Sequence, residues 1–295
     1  MAERHDLVRF DWAMKKMLRN KANYGILEGF IEVFLGKKCK IVELLESEGN
    51  QEDYADKFNR VDIKAKDSDG ELFLVEIQTT RYTSYLQRVL YGVSKAITEQ
   101  IEKGDSYGKI KQVFSISVVY YDLGHGKDYF YEAKTDFVGV HEHDVLQLSE
   151  REEMSVEQIA RGDERKYRME AKTASDIFPK YYLIRINAYR KVVADAMDEW
   201  MRFLKDNSIK EDTKVPGLVE AKERLRISSM SKEERLGYER HLDAVDQEKD
   251  VAKSYMEEGM KKGKIEIARN MKEEGMSIEM IAKLTGLTRE EIEKM

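Results

Sequence analysis

The sequence predicts an α/β protein: a mixed central sheet flanked by helices, followed by a mostly helical C-terminal region. Three observations carry that expectation. Helical and strand-like patterns intermingle up to about residue 187, as in a mixed α/β order. Two runs, 60–66 and 71–78, flank a turn and alternate their side-chain character. From residue 217 onward the pattern is nearly all helical and rich in Lys and Glu.

Taken in order, Phe10, Met14, Met17 and Leu18 recur at helical spacing. Ile26, Leu27, Phe30, Ile31, Phe34 and Leu35 do the same, and Gly36 suits a C-cap. Residues 40–45 read as a short strand, ahead of the two strands around Asp67-Ser68-Asp69-Gly70. Residues 82–103 predict a helix, apolar at Tyr85, Leu86, Val89, Leu90, Val93, Ala96, Ile97 and Ile101, with Gly104 ending it. The run 112–121 reads as a central strand, and 129–133, 136–140 and 181–186 as further strands. A helix over 190–205 collects Val192, Val193, Ala196, Met197, Trp200 and Leu204 on one face. The expected division is a domain over 1–205, a linker over 206–216 and a helical region over 217–295. Gly275, Ser277, Gly286 and Thr288 cut its end into short helices laid out like a helix-turn-helix.

Composition bounds the function. A chain of 295 residues allows one or two domains with an ample core. The net charge of -6 excludes a generally basic nucleic-acid-coating protein, so any such contact must be a local basic patch. The single Cys39 excludes an internal disulfide framework and a cysteine-rich zinc site, and reads as ordinary packing near a strand start. There is no long apolar run and no signal-peptide core, so a cytoplasmic protein without a membrane partner is expected.

The hairpin is the most informative stretch. Its turn suits a type I turn with Gly70 in the left-handed region, which pairs Asp67 with Glu71. Counting back, Ala65 faces Phe73, Ile63 faces Val75 and Val61 faces Ile77, so one face is apolar throughout. The other face then carries Asp62 opposite Glu76, Lys64 opposite Leu74 and Arg60 opposite Gln78. Directly paired carboxylates lie at about 5 Å between Cβ atoms and repel unless a cation sits between them. A hard divalent ion such as Mg²⁺ prefers such oxygens. The plain alternative is a solvated, charged hairpin face.

At these residues the sequence resembles the PD-(D/E)XK nucleases, whose pattern is an Asp near the end of one strand and Glu-x-Lys on its hairpin partner. Here it reads Asp62, then Glu76-Ile77-Gln78. The 10–17 segment Phe-Asp-Trp-Ala-Met-Lys-Lys-Met resembles the opening helix of the recombination-promoting nuclease and putative transposase branch. Arg88 with Tyr91 and Lys95, Asp198-Glu199-Trp200 with Phe203-Leu204-Lys205, and the tail from Gly275 to Leu287 extend the likeness along nearly the whole chain. The resemblance implies a restriction-endonuclease-like core and an endonuclease acting on DNA with Mg²⁺, or Mn²⁺, in DNA mobility or recombination.

On that reading Asp62 and Glu76 hold the ion, with the Ile77 carbonyl as a third ligand. Gln78 departs from the usual Lys. Its neutral amide can orient water but cannot supply charge, so Lys64, on the same face, is the candidate substitute. The resemblance suggests Asp11 as an outer ligand or water-holder; a helix N-terminal acid favoured by the dipole is the alternative. Arg88, Tyr91 and Lys95 share a helical stripe that can grip phosphates, as can the cluster of Lys15, Lys16, Arg19 and Lys21; solvated faces are the alternative. His141 and His143 lack a third ligand and read as surface residues.

The final helix opens Thr288-Arg289-Glu290-Glu291, too acidic for a groove-reading helix. The tail therefore reads as a protein contact. Met256, Met260, Ile265 and Ile267 on the preceding helix suit pairing into a homodimer. The competing function is a non-catalytic binding or regulatory protein that keeps the nuclease fold, and RNA is a third reading for the substrate.

Overall fold

The computed structural model describes residues 7–16, 20–45, 61–148, 172–190, 192 and 194–294. The chain opens with α1 (Phe10–Lys16) and α2 (Tyr24–Leu35), and Gly36 ends α2 at φ 65. Strands β1 (Ile41–Leu45), β2 (Ile63–Asp67) and β3 (Leu72–Gln78) precede α3 (Tyr85–Thr98). Then come β4 (Val113–Val119), β5 (Phe130–Ala133), the short pair β6 (Gln147–Leu148) and β7 (Lys172–Thr173), and β8 (Lys180–Arg185). Helices α4 (Ala196–Asp206), α5 (Leu218–Arg224), α6 (Lys232–Glu273), α7 (Ile278–Thr285) and α8 (Arg289–Glu293) complete it.

Six strands form one mixed sheet in the order β1-β2-β3-β4-β8-β5. The pairs β3–β4 and β4–β8 are parallel, and the outer pairs antiparallel. The β2–β3 hairpin sets the register. Gly70 adopts φ 84, and the Asp67 carboxylate accepts from the Asp69 and Glu71 amides at 3.0 and 2.9 Å. Ile63 then pairs with Val75, Lys64 with Leu74 and Ala65 with Phe73, as the turn chemistry predicts.

The sheet has two different faces. One carries Phe73, Val75 and Ile77 beside Phe114, Ile116 and Val118, all at most 4 % exposed. On that side α2 brings Phe34 to 5.7 Å from Phe130, which stacks on Tyr182. Behind it Phe10, Phe30, Trp200 and Phe203 interlock with ring centroids 5.2–6.0 Å apart, joining α1, α2 and α4. The opposite face is covered by α3, whose Val93 and Ala96 pack on Leu72, Leu74 and Val113.

Several expectations shift. The strand expected over 136–140 is instead an exposed arm, with a lone bridge from Val138 to Val145 and His143 in the left-handed region. Its side chains Phe137, Val138 and Val140 lie open to solvent, so no second layer holds the run in a sheet. The helix expected from 190 starts at Ala196, where the Asp195 side chain caps it by accepting from the Asp198 amide. The expected hairpin partners at Arg60, and Met17, Leu18 and Arg19, lie outside the described residues.

The chain divides into a compact unit through Tyr238 and a second over 239–295. The expected division lay earlier, at 206–216. Leu218, Ala221 and Leu225 are fully buried, and Trp200 donates its indole N–H to the Pro216 carbonyl at 3.1 Å. Gly217, at φ 77, lies so close to Gly29 of α2 that a Cβ on Gly29 would meet its backbone at 2.2 Å. The polar composition of 206–216 therefore marks a surface crossing that returns α5 to the first unit. In the second unit Ala268, Ile281, Leu287 and Ile292 form a small core. Ser277 and Thr288 cap α7 and α8, and Gly286, at φ 70, ends α7. No helix among the described residues is long and apolar enough to cross a membrane.

Candidate active site

The site forms where β2 enters the hairpin and β3 leaves it. A continued ladder would pair Asp62 with Glu76 and offer the Ile77 amide to Val61. Instead the chain bends at Asp62, and the Asp62 carboxylate itself accepts from the Ile77 N–H at 2.7 Å. Val61 correspondingly packs with the Leu72–Leu74 cluster under α3, and not across from Ile77 as the extended register predicts. The bend thus delivers Asp62 to the peptide next to Glu76.

Glu76 is 6 % exposed and its strand neighbour across β4 is the buried Ser117. A carboxylate so far from water needs compensating donors. Gln78 supplies one, its Nε2 donating to Glu76 Oε1 at 2.6 Å. Arg88, in the first turns of α3, places Nη2 2.9 Å from the same oxygen. The guanidinium also lies 5.6 Å over the ring of Tyr82. Tyr85 is buried beside the site, edge-on to Tyr121 at 6.3 Å. Burial, and then the Glu76 charge, push both phenols above their ordinary range, so they stay protonated.

The other expected residues are distributed as follows. Lys64 pairs with Leu74 on the Glu76 face, but its ammonium sits 2.5 Å from Glu99 at the far end of α3. Asp11 is buried at 1 % exposure. It accepts from Arg9 Nε at 3.1 Å and Nη2 at 3.2 Å, and from the Trp12 amide at 2.9 Å. Arg9 lies over the Tyr120 ring at 5.9 Å, and the Tyr120 amide donates to the Gln78 carbonyl at 2.9 Å. Asp11 is therefore tied to the end of β3 through two residues. Tyr91 and Lys95 are half-buried on the Arg88 stripe, while Leu86 and Leu90, expected on its apolar side, are exposed. Lys15 lies in α1, and its side chain lies outside the described residues. His141 and His143 are exposed near the end of the 136–146 arm.

Tyr82, Tyr85, Ser117 and Tyr121 were not among the expected site residues. Tyr85 falls on the apolar stripe of α3, and its spacing from Tyr91 carries no hint that it faces a carboxylate. Ser117 interrupts the apolar run of β4, and that interruption was the available signal. Burial, followed by the charges of Asp67 and Glu28, pushes the Cys39 thiol up to about 12, so it is no nucleophile near neutral pH.

Two acidic groups, an amide and a guanidinium converge at the end of a mixed sheet in a restriction-endonuclease-like α/β fold. Residues 8–161 match the family model described as PD-(D/E)XK nuclease family transposase. The chain belongs to that family. Residues 261–295 match the C-terminal helix-turn-helix domain of the Rpn/YhgA-like nuclease family. Comparison with curated proteins gives no match, and comparison with solved structures gives none.

Nucleases of this class generally use divalent metals, and the donor set here is chemically suited to one. Among the described residues no three His, Cys, Asp or Glu side chains group to hold an ion. Two carboxylates and a backbone carbonyl are hard oxygen donors, however, and Mg²⁺ commonly keeps several waters beside one or two carboxylates. A soft or zinc-like site is not what these residues offer.

Proposed function

We propose that this chain is a Mg²⁺-dependent endonuclease, with Mn²⁺ as an alternative, that hydrolyses DNA phosphodiester bonds in DNA recombination or mobility. The observation that carries the reading is the bend at Asp62. It brings one carboxylate onto the Ile77 amide beside Glu76, where Gln78 and Arg88 also converge. Asp62, Glu76 and the Ile77 carbonyl are the groups to hold the ion, which when bound would lower the pKa of a water and polarise the scissile phosphate.

The remaining work falls to the chain's own groups. Gln78 commits its amide N–H to Glu76, which leaves its carbonyl oxygen to orient an attacking water as a hydrogen-bond acceptor. Asp11 acts at a distance, holding Arg9 against Tyr120 and so steadying the end of β3. Arg88, Tyr91, Lys95 and Lys15 grip backbone phosphates of DNA. Lys64, committed to Glu99, takes no part as a substitute for the usual lysine.

Incubating plasmid with the protein and Mg²⁺ or Mn²⁺, beside Asp62→Ala and Glu76→Ala, tests this directly. Nicking by wild type that both substitutions abolish is the expected outcome; equal nicking by all three removes this site. The non-catalytic reading draws on Gln78 standing where the family pattern has Lys. It predicts DNA retention without cleavage at any metal concentration.

We also propose that α6 mediates pairing of two copies. Residues 251–260 are exposed along their whole length and include Val251, Tyr255, Met256 and Met260. Light scattering should give twice the chain mass for wild type and the single mass for a Met256→Lys, Met260→Lys variant.

A further inference from the structure

We infer that Arg88 is a resident counter-charge at Glu76, which a divalent cation displaces, freeing the guanidinium for the phosphodiester. The inference rests on the metal-site reading above. Its basis is the environment of one oxygen. Glu76 is nearly out of water, with its side chain 8 % exposed, so as a carboxylate it is stabilised by a nearby cation. In the structure that cation is Arg88, whose Nη2 shares Glu76 Oε1 with the Gln78 amide.

Arg88 differs from a fixed structural partner in two respects. Its side chain is 34 % exposed, which leaves it room to move toward solvent. It also lies over Tyr82, itself 50 % exposed, which offers the guanidinium an outer resting face by cation–π attraction. A second cation on the same carboxylate repels the first. The hard ion holds oxygen donors more strongly than a weakly hydrated guanidinium does. Arg88 then moves outward on its flexible stem toward Tyr82, on the side from which a phosphate would approach. This accounts for the neutral Gln78: positive charge near the phosphate comes from α3 only once the ion is in place, and Lys64 is held elsewhere by Glu99.

The exchange predicts effects of opposite sign on binding and on cleavage. Mn²⁺ titration of the full chain without DNA, read by electron paramagnetic resonance, should show Arg88→Met binding the ion roughly tenfold more tightly than wild type, a gain of about 1.4 kcal/mol. The same variant should nick plasmid at least tenfold more slowly. In wild-type protein the Arg88 Nε–H resonance should shift on Mg²⁺ addition, and Glu76→Gln should abolish that shift; this reading needs no change at Arg88. Unchanged or weaker Mn²⁺ binding by Arg88→Met, or an Arg88 resonance indifferent to Mg²⁺, overturns the exchange. If Glu76→Gln binds Mn²⁺ as tightly as wild type, the metal-site reading itself falls and the exchange with it. Loss of binding in Glu76→Gln with no gain in Arg88→Met overturns the exchange alone.

Discussion

The two faces of β3 do opposite work with the same backbone. Phe73, Val75 and Ile77 point into the aromatic side of the molecule, are at most 4 % exposed, and their side chains make only packing contacts. On the other face Leu72 and Leu74 pack under α3, and then Glu76 and Gln78 replace apolar side chains where the strand ends. The lesson is a division of labour. The apolar face sets the register and supplies stability, and because side chains alternate strictly, that register aims the acid on the reverse side. The polar face can then hold a buried carboxylate against an amide and a partly exposed guanidinium.

The largest test of this contrast removes polar-face chemistry while leaving packing intact. Asp62→Ala should lower plasmid nicking roughly a thousandfold, about 4 kcal/mol of transition-state stabilisation, while the lost hydrogen bond to the Ile77 amide should cost only about 1–3 kcal/mol of stability. On the apolar face Phe73→Ala should do the reverse. It removes the ring stacked on Phe114 at 4.9 Å and should cost about 3–5 kcal/mol of stability in urea denaturation. A thousandfold loss of activity with no change in fold from Phe73→Ala would break the division.

Smaller changes sharpen it. Gln78→Lys restores the family pattern beside Glu76 and should raise single-turnover nicking about tenfold, close to 1.4 kcal/mol. If the rate falls, the local charge balance already depends on Arg88 and does not accept a second fixed cation. Gly70→Ala tests the hinge that both faces share. A side chain at φ 84 should cost about 1 kcal/mol by thermal denaturation and lower activity only in proportion to the folded fraction.

Much of the fold was legible because the signals were local. The Asp67-to-Gly70 turn, the alternation beyond it, Gly36 after α2 and the caps at Ser277 and Thr288 each act within a few residues. Where the reading drifted, distant contacts were responsible. The strand expected over 136–140 has strand-forming residues but no layer to cover them. The expected linker is followed by a helix whose apolar residues belong to the first unit, a fact visible in their burial and in the Gly29–Gly217 approach.

The candidate site divides in the same way. The hairpin arithmetic put Asp62 and Glu76 on one face, because turn type and strict alternation leave one register, and the family resemblance picked out Gln78 as the departure from its pattern. Only tertiary structure decided which cation serves Glu76. Lys64 shares its face by sequence parity, yet α3 runs along the hairpin so that Glu99 meets Lys64 and Arg88 meets Glu76. That pairing depends on the crossing of a helix over a strand, a long-range geometry that no spacing along the chain records. The same is true of the bend at Asp62, where a side chain takes over a ladder hydrogen bond and turns a predicted strand residue into the corner of the site.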